Sequence, residues 1–192
     1  MGPAGNLQGI RQALAMGADK AVVIDDPSLR GSDALLTARV LAEAIRREGF
    51  DLVIAGTEST DGYSGVVPQM VAELLDVPAL TYATKLEVSG EEATIHRQTD
   101  LGYDEVRASL PVVVSVTAGV VEPRYPTFKG IMEAKKKPVE TLTLSELGVE
   151  PKVEQVVVGV EPAPERTAGE IVEDDGTAHL KIVAKLEELK VI

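Results

Sequence analysis

Apolar residues recur at two periods along the chain, and the alternation between those periods predicts its elements. Over residues 7–16 they fall at Leu7, Ile10, Ala13 and Leu14, a helical spacing, and Gly17 follows where helices commonly end. Ala21-Val-Val-Ile24 is apolar at every position, as expected of a parallel strand covered on both faces. Residues 34–48 return to the helical spacing through Ala34, Ala38, Leu41 and Ile45, with Ser32 as candidate cap and Gly49 closing the run. Residues 52–55 read as the next buried strand. Strand, helix, strand is a βαβ unit, and a right-handed crossover makes its strands parallel. A further helix is predicted over 66–75, with Val67, Met70, Val71 and Leu74 on its apolar face.

The middle of the chain alternates differently. Residues 79–88, 93–99 and 104–109, separated by Ser89-Gly90 and Leu101-Gly-Tyr103, read as antiparallel strands joined by tight turns. Pro111-Val-Val-Val-Ser-Val116 returns to the buried parallel type. Pro123 and Pro126 stiffen the loop that follows, and 130–136 predicts a short helix ending in Lys135-Lys136-Lys137. Residues 147–177 are extended and include a Val-rich run over 153–160, too long a stretch to sit inside a compact domain. They read as an arm that lies on something else, followed by a final helix over 178–189 carrying Leu180, Val183, Leu186 and Leu189. The expected fold is α/β: an open, mainly parallel sheet over 1–147 with an antiparallel hairpin insertion, then a C-terminal extended arm plus helix over 148–192.

Composition narrows the functions this fold can carry. A net charge of −12 argues against a general nucleic-acid binder, and 3% aromatic residues with no Trp removes the usual platforms for stacking bases. With no Cys there is no disulfide, thiolate nucleophile or Cys-ligated metal. The two His are far apart and neither lies in a metal-binding spacing. No apolar run approaches a membrane span, and the first residues lack a signal-peptide core, so the expected location is the cytoplasm.

Candidate chemistry concentrates in two loops. Residues 56–67 join a predicted strand to a predicted helix, where the crevice of an α/β sheet takes ligands and a helix N-terminus offers N–H groups to an anion. Thr57, Ser59, Tyr63 and Ser64 add hydroxyls, and Asp61 either accepts from a ribose or closes its own loop as an Asx-turn, the commoner use. A connection that needs small residues for its turns explains the same composition about as well. The second loop, 122–129, displays Tyr125 and Phe128 between prolines. A rigid loop carrying an aromatic suits a partner anchor, whereas Phe more often folds back into a core. Lys135–Lys137 read as a solvated helix end or as a contact for an acidic partner. Glu91, Glu92, Asp104 and Glu105 fall in or beside the hairpins, where solvated charge outweighs acid–base work. No catalytic residues and no metal site are assigned.

Three stretches together resemble one family. Leu14-Ala-Met-Gly-Ala-Asp-Lys20, the Gly56–Asp61 loop and Glu122-Pro-Arg-Tyr-Pro-Thr-Phe-Lys-Gly-Ile-Met-Glu-Ala-Lys-Lys-Lys137 resemble the β subunit of electron-transfer flavoprotein, and Pro164-Glu-Arg-Thr-Ala-Gly169 with Val183-Ala-Lys-Leu-Glu-Glu-Leu-Lys190 is similar to that family's C-terminal end. Ser59-Thr-Asp-Gly62 and Thr127-Phe-Lys-Gly-Ile-Met132 look like its actinobacterial branch. The resemblance implies an adenine-nucleotide α-hydrolase-like sheet and the non-catalytic half of an αβ heterodimer. It implies AMP as a structural ligand at Gly56, Asp61, Gly62, Ser64, Gly65, Val66 and Val67, and FAD bound mostly by the α subunit. Electrons would pass from acyl-CoA dehydrogenases and similar enzymes, in fatty acid oxidation, to a membrane quinone oxidoreductase. Tyr125, Pro126, Thr127, Phe128, Lys129, Ile131 and Met132 match the recognition loop that docks on the dehydrogenase, with Phe128 in place of the usual Leu anchor.

The chain departs from the family pattern at three places. Gly62-Tyr63 and Gly65-Val66-Val67 stand where many members carry Asp and an Asn-Gln-Thr, leaving Ser64 and backbone amides for a phosphate. Gln98 replaces a Glu that commonly pairs with the partner subunit. The family's chains also begin earlier, so a shortened product is expected, with an unpaired sheet edge and a half-built adenine pocket. Two alternatives remain: a stand-alone nucleotide-binding regulator of the universal-stress type, and a bifurcating flavoprotein subunit with FAD in place of AMP.

Overall fold

A computed structural model describes residues 1–2, 7–165, 169 and 171–192. Their elements are, in order, α1 (Gln8–Ala15), β1 (Ala21–Ile24), a 3-10 turn (Pro27–Leu29), α2 (Ala34–Glu48), β2 (Leu52–Gly56), α3 (Val67–Leu75), β3 (Ala79–Ser89), β4 (Glu92–Thr99), β5 (Gly102–Ser109), β6 (Val112–Val116), α4 (Phe128–Ala134), β7 (Val139–Leu142), α5 (Leu144–Leu147) and α6 (Ala178–Glu188). They fall into two units, Met1–Val157 and Val158–Ile192.

In the first unit the strands form one five-stranded sheet, ordered β2-β6-β3-β4-β5, and a separate parallel pair, β1-β7. β6 is central because it is apolar on both faces. Val112 and Val114 pack with Leu80, Ala83, Ala93 and Ile95 on one side, while Val113 packs with Ala38, Val71 and Ala72 on the other. β3 serves both halves of the sheet: Ala79 and Leu80 pair parallel with Val113 and Val114, and Lys85 through Ser89 pair antiparallel with β4. The change of partner passes through a register shift at Leu80–Ala83.

The sequence pattern makes β1-α2-β2 a unit with parallel strands, but the two strands are not neighbours. β1 pairs with β7 and β2 with β6. Helix α2 packs on both strand systems. Leu36, Val40 and Ala44 join Ile24 and Leu142 in one cluster, while Ala38 joins Val71 and Val113 in another. A cavity of about 390 Å³ remains between β1 and β2, lined by Val22, Ile24, Leu41, Ile45, Leu52 and Ile54 among others. The outer side of β2 has no strand partner among the described residues, and Ile54 is 57% exposed.

Asp33, not Ser32, caps α2. Its carboxylate accepts the Leu36 N–H at 2.7 Å, while the Ser32 hydroxyl donates to the Leu29 carbonyl at 2.6 Å. The other Asp33 oxygen accepts the amides of Glu154 and Gln155 at 2.6 and 2.9 Å, holding the chain after α5 against the start of α2. These donors, Leu36 foremost, hold the Asp33 carboxyl below its ordinary range. A depressed native-state pKa stabilises the fold above the unfolded-state value, about 3.9 for Asp, and that contribution disappears as pH falls through the native-state value. Acid unfolding of Asp33→Asn is expected to show a shallower loss of stability below about pH 4 than the wild type. Paired thermal melts across that range check it.

The Val-rich run forms no strand. Val156, Val157, Val158 and Val160 are exposed. In the second unit, α6 has no buried residue and leaves Leu180, Ile182 and Val183 in solvent.

Candidate functional site

The first candidate loop leaves the end of β2, where Gly56 lies opposite Val116 of β6. The Thr57 hydroxyl donates to the Val116 carbonyl at 3.0 Å, fixing the exit of the loop over the carboxyl ends of the two parallel strands. From there the chain folds on itself. The Tyr63 amide donates to the Ser59 carbonyl at 3.0 Å, and Tyr63 sits in the left-handed region at φ 46°. The Asp61 carboxylate is held below its usual range first by the Ser59 hydroxyl, then by backbone amides of its own loop. These bonds close the loop as an Asx-type turn.

Gly65, at φ 63°, delivers the chain into α3. Val66 occupies the N-cap position and no side chain caps the helix, while Pro68 fills the second helical position. Helix geometry leaves the first-turn amides of Val67 and Gln69 without intrahelical acceptors. Gly56 ends β2, Gly62, Ser64 and Gly65 lie in the loop, and Val66 and Val67 open α3; Gly62, Ser64 and Val66 are exposed.

Gln69 is the residue that motif spacing missed. Its Nε2 donates to the Gly65 carbonyl at 3.2 Å, and its Oε1 is buried without a hydrogen-bond partner. Its place in the first helical turn, where capping-box side chains reach back, was a usable signal. A buried acceptor without a donor is costly, and a ligand hydroxyl or amine would satisfy it. The residues therefore fit a nucleotide: first-turn amides and the Ser64 hydroxyl for a phosphate, Gln69 Oε1 for a donor on the ligand.

Charge opposes that fit. Glu58 is exposed but its carboxylate stands beside Gly65, where a Cβ would lie 3.6 Å from Glu58 Oε2. Residues 57–67 contain Glu58 and Asp61 but no Lys or Arg. Glu58→Gln is expected to tighten AMP binding by roughly 3- to 10-fold at low ionic strength and by less in high salt. Titration calorimetry at two salt concentrations checks it.

The second candidate loop is built on a docked helix pair. Thr127 caps α4, its hydroxyl oxygen accepting the Gly130 amide at 3.0 Å. Arg11 of α1 donates to the carbonyls of Ala134 and Lys137 at 2.8 and 3.2 Å. In return, Lys137 Nζ donates to the carbonyls of Leu14 and Ala18 at 3.0 and 2.7 Å. Lys137 is therefore a tether between helix ends, where the sequence offered only solvated charge or a partner contact. Gly130 permits the close approach, since a Cβ there would stand 2.5 Å from the Ala15 carbonyl oxygen.

On this base Tyr125 is 86% and Phe128 82% exposed, and Ile131 and Met132 also face solvent. Phe128 does not fold back into the core. Pro126 is half-buried, and Lys129 lies exposed near Glu133 at 3.7 Å. The hairpin charges are surface pairs: Arg107 contacts Glu105 at 2.6 Å and Glu92 at 3.9 Å. His96 stacks on Tyr103 with ring centroids 4.1 Å apart. Among the described residues no acidic or His cluster could hold a metal, and no helix is long and apolar enough to cross a membrane.

Comparison with known proteins places this geometry. The electron transfer flavoprotein domain matches residues 1–147. The whole chain aligns with 74% of an electron transfer flavoprotein subunit beta of Mycobacterium tuberculosis at 46% identity. The subunit of that name from Bacillus subtilis is 37% identical, over 95% of this chain and 74% of its own length. Its human counterpart is 38% identical, over 98% of this chain and 73% of its own length.

Proposed function

We propose a role that follows from family, because the chain belongs to the electron transfer flavoprotein family as a β subunit. It serves as the half of an αβ heterodimer that has no catalytic residues of its own. The heterodimer carries electrons from acyl-CoA and other dehydrogenases to a quinone oxidoreductase, in the cytoplasm and in fatty acid oxidation. FAD, held mainly by the α subunit, supplies the redox chemistry. This chain binds, orients and docks.

The observation that carries the reading is the entry to α4, where Tyr125 in the preceding loop and Phe128 at the first helical position stand in solvent on a base fixed by helix-end tethers. An anchor whose backbone is already ordered loses little entropy on binding, and large aromatics dominate interface energetics. Tyr125, Pro126, Thr127, Phe128, Lys129, Ile131 and Met132 present this surface to the dehydrogenase. Residues 148–192 pack on the α subunit, and the exposed valines of the arm with the apolar residues of α6 suit such a cover. AMP takes a structural place at the loop after β2, held by the Val67 and Gln69 amides, Ser64 and Gln69 Oε1.

Mass spectrometry of the nucleotide that co-purifies, followed by calorimetry against AMP, FAD and ATP, tests the reading. AMP retained beside an FAD-bearing partner supports it. FAD in the loop site points instead to the bifurcating type, and ATP binding by a chain indifferent to any partner points to a stand-alone regulator.

A further inference from the structure

We propose that Tyr82 is a ligand-contacting residue of the nucleotide site, donating its phenol hydrogen to the phosphate, and that Ser115 holds it in place. The proposal rests on the reading of the loop after β2 as a nucleotide site.

Tyr82 lies in the register shift where β3 leaves β6 and turns to β4. Its φ is 56°, the left-handed region that bulky side chains avoid. A residue stays there only when its surroundings over-determine it, and such strain concentrates at ligand sites. Here the constraint is visible. The Tyr82 amide donates to Ser115 Oγ at 3.1 Å, and Ser115, at 1% exposure, is the buried polar residue of β6 among its valines. A hydroxyl placed in the apolar centre of the sheet to receive that one amide fixes where Tyr82 points.

It points to the loop. A Cβ on Gly65 would lie 3.9 Å from the Tyr82 hydroxyl. Among the described residues the hydroxyl has no hydrogen-bond partner, and the side chain remains 40% exposed, open to a ligand. Gln69 reaches the same glycine through its carbonyl. Gly65 is therefore bordered by a free phenol donor and by a side chain whose Oε1 is an unsatisfied acceptor. The loop has no Lys or Arg and carries Glu58 beside the same glycine, so the loop itself offers a phosphate only neutral donors. Bulges commonly re-aim a side chain towards a site, and this one brings such a donor.

The competing explanation is that the bulge serves only the change from parallel to antiparallel pairing. Calorimetry of the full chain with AMP and with adenosine, beside thermal melts, separates the two. Tyr82→Phe is expected to weaken AMP roughly tenfold, as for loss of a hydrogen bond to a charged group, and to leave adenosine unchanged. Tyr82→Gly removes the left-handed strain, so its melting temperature is expected to hold or rise while AMP affinity falls. Ser115→Ala is expected to weaken AMP as well, with Ser115→Thr restoring it. Equal AMP affinity in wild type and Tyr82→Phe overturns the role of Tyr82 and leaves the nucleotide reading standing. Failure of the wild type to bind either ligand overturns both.

Discussion

Phe128→Ala is expected to lower kcat/KM for reduction of the flavoprotein by its dehydrogenase by about 30-fold to several hundred-fold, the range for truncating a central aromatic anchor at roughly 2–4 kcal/mol. Its melting temperature should hardly move. The ring is 82% exposed and makes no contribution to the core, and surface substitutions of this kind usually stay within about 0.5 kcal/mol. The two readouts together distinguish an anchor from a structural residue. Stopped-flow reduction and a thermal melt of the same preparation provide both. A Phe128→Leu variant, restoring the apolar volume on the same rigid loop, should recover much of the rate.

Gly130→Ala is expected to move both readouts. The added methyl would meet the Ala15 carbonyl at 2.5 Å and the Thr127 hydroxyl at 3.2 Å, and backbone cannot yield as a flexible side chain can. Helix α4 must shift away from α1, stretching the bonds that Arg11 and Lys137 make across the pair. Overpacking of this kind costs about 1–3 kcal/mol. In a domain of this size that corresponds to a fall in Tm of roughly 3–10 °C. Because the aromatic loop is carried on α4, electron acceptance should decline as well, though by less than in Phe128→Ala. Differential scanning calorimetry with the same kinetic assay checks the pairing. A Tm unchanged by the substitution would mean that the helix pair is not held by that close approach.

The parts of the fold that could be read in advance are those where a single period dominates. The runs Ala21–Ile24 and Leu52–Ala55 are apolar throughout, Val112–Val116 is apolar except at the buried Ser115, and each forms a parallel strand. The hairpin strands β3, β4 and β5 are signalled by Ser89-Gly90 and Leu101-Gly-Tyr103, and the turns fall within a residue or two, at Gly90-Glu91 and Asp100-Leu101, with Gly102 and Tyr103 already in β5. Strand β7 was missed because Val-Glu-Thr-Leu is four residues long and half polar; its pairing with β1 comes from packing against α2 and α5, which no local pattern records. Ser32 and Asp33 are both good caps, and only the position of the helix start selects between them.

Local pattern marks the two candidate loops and carries no trace of the residues that approach them from other elements. Strand, small-residue loop and helix marked residues 56–67, and the prolines marked 122–129. Gln69 and Tyr82 lay outside those windows. One reaches Gly65 from the following helix turn and the other from a neighbouring strand, where its amide is held by Ser115, 33 residues away. Contacts that cross the fold leave no spacing to read.

The central claim, a β subunit acting through a flavin-bearing partner, is tested most directly by co-expressing the chain with its α subunit and recording the absorption spectrum of the purified product. The account predicts a yellow one-to-one heterodimer whose flavin is bleached when a reduced acyl-CoA dehydrogenase is added. A colourless chain that elutes alone, whether or not the α subunit is present, would contradict it.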